Sequence, residues 1–99
     1  MKQVQIVPLA NDKPTLKTLL SDTERRLRGG RTTFKRKKAG KWVHVRYPGW
    51  ISWDLTKGGV IEAKVHSKDA NDWQLLQAFI GYVDRHIGQY VKSIIIIYG

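Results

Sequence analysis

Trp53-Asp54-Leu55-Thr56-Lys57-Gly58-Gly59-Val60-Ile61-Glu62-Ala63-Lys64-Val65-His66 reads as two strands joined across a Gly-Gly turn. Successive side chains of a strand point to opposite faces. Ile61, Ala63 and Val65 therefore form one apolar face, and Glu62, Lys64 and His66 project from the other. Asp54 closes the preceding strand near the same turn. Two carboxylates and an ammonium can then converge on one patch, the set that divalent-metal phosphodiester chemistry uses. Hard oxygen ligands hold Mg²⁺ or Mn²⁺, Mg²⁺ keeps several waters and leans on substrate phosphates, and a nearby cation offsets developing charge. The same residues also read as surface chemistry. Glu and Lys two apart suit any solvated strand face, and Asp before a Gly-containing turn is ordinary turn usage.

Upstream, Arg31 to Lys38 reads as a basic strand, Ala39-Gly40 as a turn and Lys41 to Tyr47 as the returning strand. Val43, Val45 and Tyr47 share one face of it, with Trp42, His44 and Arg46 on the other. Pro48-Gly49 bends the chain into Trp50 to Leu55. Further back, Pro14 and a cap at Asn11 or Asp12 start a helix with Leu16, Leu19, Leu20 and Leu27 on one side, ended by Gly29-Gly30. Ser21 to Glu24 also fits a capping box, which would break that helix and occupy Glu24. At the N-terminus Val4 and Ile6 alternate with Gln, and Pro8 cannot donate a ladder bond, so Lys2 to Leu9 is expected as an edge strand or arm.

Downstream, Asp69 or Asn71 can cap a second helix in which Trp73, Leu76, Ile80, Val83 and Ile87 recur at helical spacing. Gly81 inside it costs about 1 kcal/mol relative to Ala and is read as a close-packing position. Lys92 to Tyr98, with four consecutive Ile, reads as a strand buried on both faces, as in parallel pairing. The passage from Val60–His66 through the helix to this strand has the length of a βαβ crossover. The free edge of so apolar a strand calls for cover by the N-terminal strand or a second subunit.

Ninety-nine residues fit one domain, with 1–10 as strand or arm and 14–98 as the core. No apolar run approaches ~20 residues and the N-terminus lacks a signal core, so a cytoplasmic protein with no membrane partner is expected. The chain has no cysteine, which excludes disulfides and thiolate metal sites. Its formal charge is +10 and unevenly spread. From Glu24 to Arg46 one acid stands among Arg25, Arg26, Arg28, Arg31, Lys35, Arg36, Lys37, Lys38, Lys41 and Arg46. Such a block suits a polyanion, and otherwise serves as a solvated, solubilising face.

With the N-terminal arm set aside, the order is helix, antiparallel strands, helix, strand. Asp54 and Glu62-Ala63-Lys64, set on that order from about Leu16 to Tyr98, resemble the PD-(D/E)xK nuclease superfamily, especially Holliday-junction resolvases and compact phage or mobile-element nucleases. The resemblance implies a mixed α/β sheet with an α-β-β-β-α-β restriction-endonuclease-like core. It implies Mg²⁺ or Mn²⁺ held by Asp54, Glu62 and the Ala63 carbonyl, with Lys64 orienting water or offsetting charge. It adds Glu24 as a helper carboxylate and Gln77, or Gln74, as a partner of Lys64 or of the phosphate. Arg25, Arg28, Arg31, Lys35, Arg36, Lys37 and Lys38 would grip the backbone of DNA, branched DNA included. Phosphate contacts carry no sequence information, so the expected selectivity is for structure. A homodimer follows if a four-way junction is cut symmetrically. Two features depart from the family pattern. Trp53 stands where its motif has Pro, and Tyr82 lies five residues after Gln77 rather than four.

Two other classes fit the composition. In a non-catalytic nucleic-acid-binding module, Glu62 and Lys64 are a surface pair, and binding persists in chelator. In a viral or mobile-element protein that targets another protein, the aromatic face of Trp42 and Trp50 carries the contact. His66 shares the polar face of Glu62 and Lys64, either as a substrate contact or as a strand-surface histidine.

Overall fold

In the computed structural model, residues 2–10, 14–27, 34–36, 41–67 and 72–98 are described. The elements are β1 (Gln3–Pro8), α1 (Leu16–Leu27), β2 (Phe34–Arg36), β3 (Trp42–His44), β4 (Trp50–Leu55), β5 (Ile61–His66), α2 (Asp72–Ile87) and β6 (Val91–Ile97). One six-stranded sheet has the order β2-β3-β4-β5-β1-β6, with every neighbouring pair antiparallel. The fold is therefore mixed α and β: two helices and an antiparallel sheet. Among the described residues no helix is long and apolar enough to cross a membrane.

Strand alternation sorts the sheet into two faces. Phe34, Trp42, Ile51, Ile61, Ala63, Val65, Val4 and Ile6 are buried against Leu16 and Leu20 of α1 and Leu75, Leu76, Phe79, Tyr82, Val83 and Ile87 of α2. The registers Ile51↔Val65, Val4↔Ala63 and Ile6↔Ile61 keep these residues on one side. Both helices lie on this face and touch each other. The other face carries the residues between them in sequence. Its polar centre stays in water because its side chains are already solvated.

Local chemistry explains the turns. The Thr56 hydroxyl donates to the Val60 carbonyl at 2.9 Å and the Thr56 N–H donates to it at 2.7 Å. Gly58 and Gly59 take φ of 79° and 76°, a region that costs a residue with a Cβ about 1–2 kcal/mol. The glycine pair thus fixes the β4–β5 register. Helix α1 runs unbroken through Ser21, capped by Thr15, whose Oγ1 accepts the Thr18 N–H at 3.2 Å. Asn11, Asp12, Asp69 and Asn71, the sequence's cap candidates, lie outside the described residues. Lys2 anchors the start of α2 through Asp72 at 2.9 Å.

Three expectations are corrected. β1 is no edge or arm: it lies between β5 and β6. Pro8 is harmless there because it ends the strand, where the register shifts. β6 is not doubly buried or parallel-paired. β1 takes the position beside β5, and β6 pairs with β1 alone among the described residues. Ile94 and Ile96 pack toward the core, while Ile95 is 46 % exposed. β3 ends at His44, and its inward side is Trp42 and His44; Val45 lies beyond it, exposed. Of the expected basic strand, Phe34–Arg36 is described.

Candidate functional site

The antiparallel register of β4 and β5 builds the site. Trp50 pairs with His66, Ser52 with Lys64 and Asp54 with Glu62. All six fall on the face that the helices leave open. Directly opposed residues have Cβ atoms about 4.5–5.5 Å apart, and like charges so placed repel. Asp54 and Glu62 are such a pair. Lys64 stands diagonal to Asp54, on the next outward position of β5. From β1, Gln5 pairs with Glu62 in register, and its amide donates to Glu62 Oε1 at 3.3 Å. Glu62 is thus held in part by Gln5, and Lys64 stands two residues on along the same strand face.

The other end of the same face is aromatic and cationic. The Trp50 and His66 rings stack with centroids 3.7 Å apart and planes 11° apart. Lys41 Nζ lies 4.5 Å from the Trp50 centroid, within cation–π range. Ser52 Oγ and His66 Nε2 are 3.0 Å apart. Burial pushes His66 below the ordinary imidazole range, helped by the charges of Lys64 and Lys41. A neutral imidazole therefore packs on Trp50 at neutral pH. Lys35 belongs to this end too: it pairs with Val43, and its strand neighbour Phe34 is buried on the helix side.

Three proposed residues meet here: Asp54, Glu62 and Lys64. Ala63 lies between them in β5, but its backbone is paired with Val4 on one side and Trp53 on the other. The ladder has no gap at which its carbonyl would turn out of the sheet. Glu24 stands elsewhere. It is nearly buried in α1, and its charge adds to the burial that pushes the Tyr82 hydroxyl up to about 12. Gln74 and Gln77 lie on α2, also across the sheet from Lys64. The reason is geometric: α2 covers the face of Ile61, Ala63 and Val65, so its side chains share that face.

Of the basic residues, Arg25 is exposed on α1 with Asp22 at 3.5 Å, and Lys35 is exposed on β2. Arg36 is a β2 residue. Arg28, Arg31, Lys37 and Lys38 lie outside the described residues. No cluster of three or more His, Cys, Asp or Glu suited to a metal occurs among the described residues. Asp54 and Glu62 alone fit an ion that takes one or two carboxylates and completes its shell with water and phosphate oxygens, which is the habit of Mg²⁺. The sequence grouped Trp50 with Trp42 and His66 with Lys64, but Trp42 is buried on the helix side, and Trp50 instead clusters with His66 and Lys41. The signal for Trp50 and His66 was available in part, since both lie eight residues from Gly58.

Comparison of the chain with protein-family models, curated proteins and solved structures finds no match to any of them.

Proposed function

We propose that the open face binds nucleic acid and that Asp54, Glu62 and Lys64 hydrolyse its phosphodiester bonds with a divalent cation. The observation that carries this reading is the Asp54↔Glu62 register pair, with Lys64 on the same face. Two carboxylates held opposite each other repel unless a cation lies between them, and Asp54 and Glu62 would hold it. Bound there, Mg²⁺ or Mn²⁺ supplies Lewis-acid polarisation of the phosphate and offsets charge that develops on it. Gln5 keeps Glu62 oriented from β1. Lys64, on the same face, would supply positive charge to the anionic transition state. Lys35 and Lys41 attract the backbone, and the net charge of +10 adds long-range attraction.

The finer topology belongs to the same proposal. With β1 set aside, α1, the four antiparallel strands β2 to β5, α2 and β6 match the α-β-β-β-α-β order of restriction-endonuclease-like nucleases with one added strand between the helices, and β1 stands between β5 and β6. A branched DNA cut on both strands takes two sites, so a homodimer acting on such DNA also belongs here. A second reading, binding without cleavage, is favoured by the Trp50, His66 and Lys41 cluster, because aromatic and cationic groups together suit single-stranded bases.

The test is cleavage of labelled duplex, single-stranded and four-way-junction DNA, and of RNA, in Mg²⁺, Mn²⁺ or EDTA. Metal-dependent cutting is expected, with Glu62→Gln and Lys64→Ala each lowering it by about 100-fold or more at unchanged melting temperature, the scale of losing a charge that stabilises the transition state. Absent cutting, with DNA binding indifferent to metal and to both substitutions, would establish the binding-only reading.

A further inference from the structure

On the helix side of the sheet, His44, Tyr47, Gln74, Gln77, Ala78, Gly81 and Arg85 line an open cleft of about 320 Å³. The α2 members recur every three or four residues and so form one stripe of the helix. The opposite wall is held firmly. The His44 and Tyr47 rings stack at 4.7 Å, and Phe34 meets His44 edge-on at 4.9 Å. His44 Nδ1 accepts the Arg46 N–H at 3.0 Å. That bond leaves Nε2 as the donor of the neutral ring.

Gly81 is the informative residue. A Cβ added there would meet nothing within 4 Å. No close packing requires this glycine, contrary to what its place in a helix suggested, yet it costs the helix about 1 kcal/mol relative to Ala. Its absent side chain is open volume in the cleft, and Ala78 beside it is small. The volume lies at the low end of the roughly 300–1,000 Å³ of small-ligand sites.

We infer that this cleft binds a single unpaired nucleobase together with its phosphate. Gln74 and Gln77 each offer a donor and an acceptor, the pairing that base edges require. The His44–Tyr47 wall gives aromatic surface to a planar ring. Arg85 supplies a fork of donors suited to phosphate. Gln77 and Arg85 are two turns apart, about 12 Å along the axis. Helical side chains lean toward the N-terminus, which brings the guanidinium back toward the span of one nucleotide. The site lies across the sheet from Asp54 and Glu62, so it stands whether or not the open face cuts nucleic acid. The nucleotide is either free or an unpaired residue of a longer strand.

Calorimetric titration of the full chain with the nucleoside monophosphates, with inorganic phosphate and with a hairpin carrying one extrahelical base tests this. Binding tighter than about 1 mM is expected for at least one nucleotide-bearing probe, and much weaker binding for phosphate alone. Monophosphate binding identifies the free source; binding by the hairpin only identifies the strand. Gly81→Leu, which fills the cleft and favours the helix, should lower that affinity by about tenfold or more while the melting temperature holds or rises. Arg85→Ala, at an exposed position, should lower it as well, and Ser93→Ala, at an exposed position of β6 outside the cleft, should leave it unchanged. No binding by any probe, phosphate binding as tightly as the nucleotides, or affinity indifferent to both cleft substitutions would overturn the inference.

Discussion

The two faces of the sheet are written in the same strands and obey opposite rules. Toward the helices, Ile61, Ala63 and Val65 are buried and fit against α2. Toward solvent, Glu62, Lys64 and His66 sit one residue away, with Glu62 bonded to Gln5, His66 against Ser52 and Trp50, and Lys64 exposed. A slip of one residue between β4 and β5 would exchange the two sets. The positive-φ turn at Gly58 and Gly59 is therefore as important to the candidate site as the carboxylates. Core packing and the polar groups of the candidate site occupy alternate positions here, and substitutions can separate them.

The sharpest way to break the contrast is Ile61→Ala. It removes a fully buried side chain from the middle of the sheet and should cost about 2–5 kcal/mol in denaturant unfolding. Glu62→Ala, one residue along, should change stability by less than about 1 kcal/mol, the usual scale for a solvated face. Equal losses for the two would mean that the open face is also structural.

A smaller effect comes with acid. Burial lowers His44, His66 and His86 alike, and the nearby charges of Arg46, of Lys64 and Lys41, and of Arg85 and Arg26 act in the same direction. A lowered imidazole means that the unfolded chain binds protons first as pH falls. Their contribution is whole above about pH 6.5, declines below it, and levels off beneath the folded values. Melting temperature should therefore be flat from about pH 8 to 7 and fall toward pH 5. His66→Asn should remove part of that fall, the part belonging to the open face. An unchanged melting temperature down to pH 5 would contradict the histidine placement.

The smallest effect expected is that of Gln5→Ala. It deletes one 3.3 Å hydrogen bond to Glu62 and should shift stability by under about 1 kcal/mol. Its value lies in the ion response. If Gln5 orients Glu62, stabilisation of the fold by added Mg²⁺, read from thermal melts, should weaken in this variant. An identical Mg²⁺ response would remove Gln5 from the site.

The β4–β5 hairpin was legible because period-two alternation and a Gly-Gly turn are local signals. The helices were legible for the same reason, apart from the Thr15 cap. The places of β1 and β6 were not. Pro8 looked like an edge marker because sequence shows the missing donor but not that the strand ends there. Four consecutive Ile have no alternation to reveal that Ile95 faces outward. Glu24 and Gln77 were assigned to the Lys64 patch by resemblance. Yet the apolar face that α2 must cover already placed Gln77 on the far side. The cleft at Gly81 had a faint signal, a glycine four residues after Gln77 on the same stripe.

The central position of β1 has a consequence for how the protein is made. Gln3 pairs with Lys64 on one side and with Ile97 on the other. A ribosome delivers β1 first and both of its partners much later. Until β6 has left the exit tunnel, Val4 and Ile6 have no complete place in the sheet, and their long-range closures are of the slow kind. Completion of this sheet accordingly waits for β6, and its earliest strand is inserted between two late ones.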